Sequence, residues 1–206
     1  MQDETKISEN EALQIEENAE SIDVGAIPTG TGEPTEPEYQ PKNKYERVLY
    51  TVYKDENLTE ILHISSIAIV LLTVYAFFSR IMALIAHPVA VAELLIITGV
   101  PFIVVSVIRK IINAPRPYEV LEFYSKKPKA KRGQSFPSRH VFSVFVIATA
   151  LMTCNVFLGL ALILGGIILS VLRVILGIHF IRDVVAGGII GIVSGAIGIL
   201  VLGLIH

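Results

Sequence analysis

From His140 to Leu172 the chain runs 33 residues without a charged side chain. That is too long for one membrane span, which needs ~20 apolar residues, and it suits two helices folded into a tight hairpin turning near Thr153-Cys154-Asn155. Ile61 to Phe78, Pro88 to Ile108 and Val184 to Ile205 are further apolar runs. A buried soluble core does not call for so many uninterrupted runs of this length. The expected fold class is therefore all-α: a polytopic membrane helix bundle of about five transmembrane helices, preceded by a disordered N-terminal tail.

The tail follows from composition. Although 52% of the residues are hydrophobic, the first sixty positions hold 15 of the 19 acidic residues and 5 of the 17 basic ones. Residues 1–44 are rich in Glu, Pro, Gly, Thr and Ser, and the run from Pro28 to Pro37 has neither helical nor strand period, so a disordered polar segment is expected there. Nothing near Met1 pairs a basic start with an apolar core and a small-residue cleavage site, so no secretory signal is expected. Residues 45–60 form the expected linker: Tyr45, Val48, Leu49 and Val52 share one helical face among polar neighbours, as an interfacial helix does and as a merely solvated helix also could. Residues 61–206 are the expected membrane domain. That body keeps 4 acidic and 12 basic residues, a surplus that points to anionic partners, either lipid head groups or phosphates, and not to nucleic acid.

Basic residues also set the orientation. Arg109, Lys110, Arg116, Lys126, Lys127, Lys129, Lys131, Arg132 and Arg139 lie between the second and third runs, and Lys42, Lys44, Arg47 and Lys54 precede the first. The other side offers little beyond Arg80, so the positive-inside rule puts the N-terminus and the long second loop in the cytoplasm, with the cell membrane as the expected location. Within the spans, Gly187, Gly191 and Gly195 recur every four residues and suit close helix packing inside the bundle, with dimerisation as the alternative. Oligomeric state stays open. Cys154, the single cysteine, is read as packing.

Ionisable residues in apolar surroundings are the candidates for function. His179 and Asp183 are four residues apart, with Arg173 six before the histidine. On a helix that spacing sets the carboxylate beside the imidazole, where it fixes one tautomer and makes the ring more basic. The plain alternative is that the pair caps the last helix. Two other clusters reach the same membrane face, because an even number of crossings separates them: Arg109-Lys110 to Arg116-Pro117, and Phe136-Pro137-Ser138-Arg139-His140. Guanidinium groups bind phosphate oxygens by paired hydrogen bonds, and a helix beginning at Ser138 adds backbone N–H groups and a positive dipole end. For the arginines alone, anchoring to lipid head groups is the competing account.

Arg116-Pro117, Pro137-Ser138-Arg139-His140 and Arg173-x5-His179-x3-Asp183 resemble the three signature motifs of the type 2 phosphatidic acid phosphatase family, over roughly residues 60 to 205. The resemblance implies His179 as a nucleophile that forms a phosphohistidine, Asp183 as its orienting partner, and His140 as the acid that protonates the leaving alcohol and later activates water. It implies Arg116, Arg173, Ser138 and the backbone at Arg139 as the phosphoryl cradle, and it implies no metal and no cofactor. The family usually places Lys where Arg109 stands, so either Arg109 or Lys110 supplies that charge. Arg139 stands where Gly is frequent, and Leu172 where Ser is frequent. The expected substrate is a lipid phosphate monoester or diphosphate. Glu93, inside the second run, motivates a rival class, a transporter or channel for an anionic solute, and a silent membrane scaffold is the third.

Overall fold

The computed structural model describes residues 39–126 and 132–204. Among these residues seven α-helices follow one another: α1 Lys44–Lys54, α2 Glu56–Ala83, α3 Pro88–Ile112, the short α4 Pro117–Val120, then a 3-10 turn Glu122–Lys126, α5 Arg139–Met152, α6 Val156–Ile175 and α7 Ile181–Gly203. No strand occurs among the described residues. Most of the polar segment expected over residues 1–44 lies outside the described residues, as do Lys127, Lys129 and Lys131 of the basic loop.

Among the described residues, four helices, α2, α3, α6 and α7, are long and apolar enough to cross a membrane. The fifth expected crossing is shorter. With 14 residues, α5 extends only ~21 Å, less than the ~30 Å of a hydrocarbon core. It need not match that thickness, because it is the innermost helix: Val141, Phe142, Val144, Val146, Ala148 and Leu151 are all essentially inaccessible. α5 is held by α6 and α7, with α3 and α2 completing the ring around it. The other helices turn Ile, Leu, Val and Phe outward, as lipid-facing surfaces require.

Helix limits follow from local chemistry. Asn43 caps α1 by accepting from the Glu46 N–H at 2.8 Å, and Glu46 in return accepts from Asn43 Nδ2, the Lys42 N–H and the Tyr39 hydroxyl. Asp55 interrupts the chain and caps α2 at the Leu58 N–H, so the helix that carries the first apolar run already begins at Glu56. Thr59 Oγ1 splices the two helices by donating to the Val52 carbonyl at 2.6 Å. α1 lays Leu49 and Val52 inward, as its periodicity suggests, and leaves Val48 exposed. Thr153 to Asn155 make the hairpin turn, with Asn155 Oδ1 accepting from Leu158 N at the start of α6. Cys154 is exposed there, contrary to the packing expected of it, because the turn rather than a helix carries it.

The glycines of α7 lie against α5. A Cβ on Gly187 would meet the Ser138 carbonyl at 2.6 Å, one on Gly191 the Phe142 carbonyl at 2.7 Å, and one on Gly195 the Thr149 side chain at 2.9 Å. These are intramolecular contacts that only a hydrogen in place of a side chain permits.

Candidate active site

Three segments meet at the end of the bundle where α5 and α7 begin and α3 and α6 end. The chain leaves α6 through Gly177, whose φ of +63° lets the backbone fold back so that the N–H groups of Ile178 and His179 both donate to the Arg173 carbonyl, at 3.1 and 3.2 Å. That turn delivers His179, 2% exposed, directly before α7. Asp183, fully buried in the first turn of α7, caps this helix by accepting from the Phe180 N–H at 3.0 Å. Its Oδ2 also lies 3.6 Å from His179 Nδ1. Asp183 is thus a cap that also lies beside the histidine; His179 itself sits in the turn before α7, so their approach comes from the turn and the cap and not from the helical spacing expected of the pair.

Ser135 is a third member that sequence reasoning missed. Its hydroxyl donates to Asp183 Oδ2 at 2.5 Å and lies 3.3 Å from His179 Nδ1. With both groups crowded at Nδ1, that nitrogen is assigned the proton and Nε2 keeps its lone pair. Burial holds the His179 imidazole below the usual histidine range, opposed by the Asp183 carboxylate beside it and reinforced by the charge of Arg116. Ser135→Ala should leave the fold intact and lower turnover roughly tenfold, the value of one hydrogen bond to a charged group. Steady-state kinetics beside a detergent-phase melting curve checks this.

Arg109 and Arg116 are both buried, at 4% and 5% exposure. Arg109 donates to the carbonyls of Gln134 and Pro137, while Arg116 Nε donates to the Gly133 carbonyl at 2.9 Å. Glu119 fastens the same loop by accepting from the N–H groups of Arg116 and Gly133. The two arginines therefore shape the loop that carries Ser135 and Ser138, which the expectation of phosphate binding alone did not anticipate. A guanidinium has five N–H donors, so each retains donors for an anion. Lys110 is exposed and is not brought into the cluster, whereas Arg109 is.

Ser138 N–H donates to the Asp183 carbonyl at 2.8 Å, joining the second motif to the third. Its hydroxyl is buried with no hydrogen-bond partner among the described residues, as is Arg173 Nε. The first N–H groups of α5, beginning at Arg139, point the same way as helix N-termini that receive anions. The Arg139 side chain turns toward α3, with its guanidinium 5.6 Å from the Phe102 ring centroid. His140 borders a cavity of about 220 Å³ shared with Phe102, Arg139 and Ser143, and Arg173, Arg139 and His179 are among its electrostatic neighbours. Glu93 is half-buried within α3 and belongs to none of these segments. Among the described residues, no three His, Cys, Asp or Glu side chains gather as a metal site.

A helical membrane protein with a buried His–Asp pair, facing a serine and arginines at the end of its bundle, is the class that fold and site define. The family model of the PAP2 superfamily matches residues 90–204, and the chain belongs to that superfamily. No curated protein matches it. Among solved structures, LpxE of Aquifex aeolicus is similar, with 23% identity and a TM-score of 0.58 over 76% of this chain and 92% of that one. A PAP2-type phosphatidylglycerolphosphate phosphatase of Bacillus subtilis is also similar, at 17% identity and a TM-score of 0.44, over 79% of this chain and 94% of that one.

Proposed function

We propose that the protein is a membrane lipid phosphatase that hydrolyses a phosphate monoester or diphosphate through a phosphohistidine at His179. The observation that carries this is the His179 ring, with Asp183 and Ser135 both at Nδ1 and no hydrogen bond to Nε2 among the described residues. In the first step Nε2 attacks phosphorus, the bond to the lipid oxygen breaks, and His140 gives that oxygen a proton. His140 then takes a proton from water, whose oxygen attacks phosphorus and releases inorganic phosphate from the histidine. Ser138, Arg173, Arg116, Arg109 and the N–H groups at Arg139 stabilise the charge on the equatorial oxygens in both steps. Phosphatidate, phosphatidylglycerol phosphate and polyprenyl phosphates all fit a pocket at the level of the head groups.

Phosphate release from a panel of these lipids by detergent-purified protein tests the reading, and trapping of acid-labile phosphohistidine on rapid quenching tests the intermediate. Activity that disappears with chelator and returns with a divalent metal would reject metal-independent catalysis. Because His179 must be unprotonated to attack and burial depresses its proton affinity, kcat/KM should stay flat as pH falls through the ordinary histidine range and drop only below it. An acid limb at or above that range contradicts the assignment.

The site is proposed to face the cytoplasm of the cell membrane, on the strength of the Lys and Arg distribution. Cys154 lies at the opposite end of α5. In intact cells an impermeant thiol reagent should label native Cys154 and spare a cysteine placed at Ser125 in a Cys154→Ser background. The reverse pattern overturns the orientation.

A further inference from the structure

The proposed chemistry puts the oxygen that leaves phosphorus at His140, so whatever that oxygen belongs to must enter the cavity of about 220 Å³ that His140 borders. Its walls come from α2, α3 and α5. Val70, Val74, Val144 and Ile147 are apolar, and the hydroxyls of Thr73 and Ser143 already donate to the carbonyls of Ile69 and Arg139, each at 2.9 Å. Arg139 is the one permanent charge in the wall, and no acidic side chain among the described residues lines the cavity to neutralise it. A basic residue at a membrane boundary commonly reaches outward to the head groups. Arg139 instead is half-buried and turned to α3, where the guanidinium lies 5.6 Å from the centroid of the Phe102 ring in the same cavity. A ring face holds a guanidinium in place without consuming its N–H donors.

We propose that the Arg139 side chain determines specificity on the leaving-group side, selecting substrates whose leaving group carries a phosphate anion of its own over those that release a neutral alcohol. The inference deepens the lipid phosphatase reading and rests on it. When the P–O bond breaks, the leaving oxygen keeps the electron pair and takes the proton of His140, while Nε2 of His179 receives phosphorus. The second phosphate is not altered. Its charge is balanced by Arg139 through paired, charge-assisted hydrogen bonds, at a place where the other lining groups offer apolar surface or hydroxyls already engaged. A neutral diacylglycerol or polyprenol gives the guanidinium no acceptor of that kind and leaves a half-buried cation without its counter-charge.

Two pairs of lipids, each matched in its hydrocarbon chains, test this with full-length protein in mixed micelles: phosphatidylglycerol phosphate against phosphatidate, and a polyprenyl diphosphate against the polyprenyl monophosphate. Release of inorganic phosphate gives kcat/KM for each. Wild-type protein should favour the doubly phosphorylated member of at least one pair, and the pair in which it does so distinguishes a phosphodiester from a diphosphate as the group bound. Arg139→Gln should lower that preference about tenfold, the scale of a hydrogen bond to a charged group, and Arg139→Lys should keep part of it. Phe102→Leu, which removes the ring under the guanidinium, should lower it less than Arg139→Gln does. Each preference is a ratio within one preparation, so any loss of folded protein cancels. A wild type without the preference in either pair, or a preference that Arg139→Gln leaves unchanged, overturns the proposal while the phosphatase reading stands. Release from none of the four lipids rejects the phosphatase reading and the proposal with it.

Discussion

His179→Ala will abolish both phosphate release and the trapped phosphoenzyme. No other side chain occupies the position: the turn through Gly177 places this one imidazole between Asp183 and Ser135, with its backbone N–H tied to the Arg173 carbonyl. Removing a nucleophile eliminates the covalent route instead of slowing one step of it. His140→Ala offers the contrast, since a substrate with a good leaving group needs little protonation and should still phosphorylate His179. Full turnover by His179→Ala, measured beside an unchanged melting temperature, would reject the phosphohistidine mechanism.

Asp183→Asn should cost about 10⁴-fold in turnover, the scale seen when a charged partner of a catalytic histidine is replaced by its amide. The amide oxygen can still accept the Phe180 N–H and the Ser135 hydroxyl, so the cap of α7 and the fold should persist. What disappears is the negative charge that stabilises the imidazolium-like state and enforces the tautomer. Vanadate, which adopts a five-coordinate geometry similar to the phosphoryl group in transfer, should therefore bind Asp183→Asn better than it binds Arg173→Ala. A folded Asp183→Asn protein with normal turnover would leave the residue as a helix cap alone.

The membrane bundle was legible because hydrophobic length is a coarse and redundant signal. The hairpin turn at Thr153 to Asn155 could be read from the failure of 33 charge-free residues to fit one span, and Asn155 then supplied the expected cap. Two features were not legible. The shortness of α5 depends on its being surrounded by protein, which hydropathy does not distinguish from being surrounded by lipid. The start of α2 at Glu56 depends on the Asp55 cap, which a search for apolar runs passes over.

At the site, His179 and Asp183 stood out because charge inside an apolar run is conspicuous. Ser135 did not, because a serine in a polar loop has no contrast with its surroundings; the pairing of Ser135 N–H with the Ala114 carbonyl, together with the bonds of Arg109, Arg116 and Glu119 to the same loop, brings it to Asp183. Likewise, the sequence marks Arg109 and Arg116 as cations without showing that loop carbonyls consume some of their donors. Lys110, adjacent and equally charged, falls on the exposed side of α3, a distinction of one helical step that spacing alone left open.

The glycine face of α7 has a mechanical consequence. Because Gly187 brings that helix against the Ser138 carbonyl, and Asp183 accepts the Ser138 N–H through its own carbonyl, backbone meets backbone where two motifs join. Such a joint has no side-chain rotamers through which to slip. α5 and α7 are thereby joined with no side chain between them, and Asp183 is tied through its own backbone to the N-terminal end of α5. On the proposed phosphatase reading, any movement that admits a lipid or expels its alcohol should therefore be taken up outside that joint, with His179 and Asp183 kept in register with the start of α5.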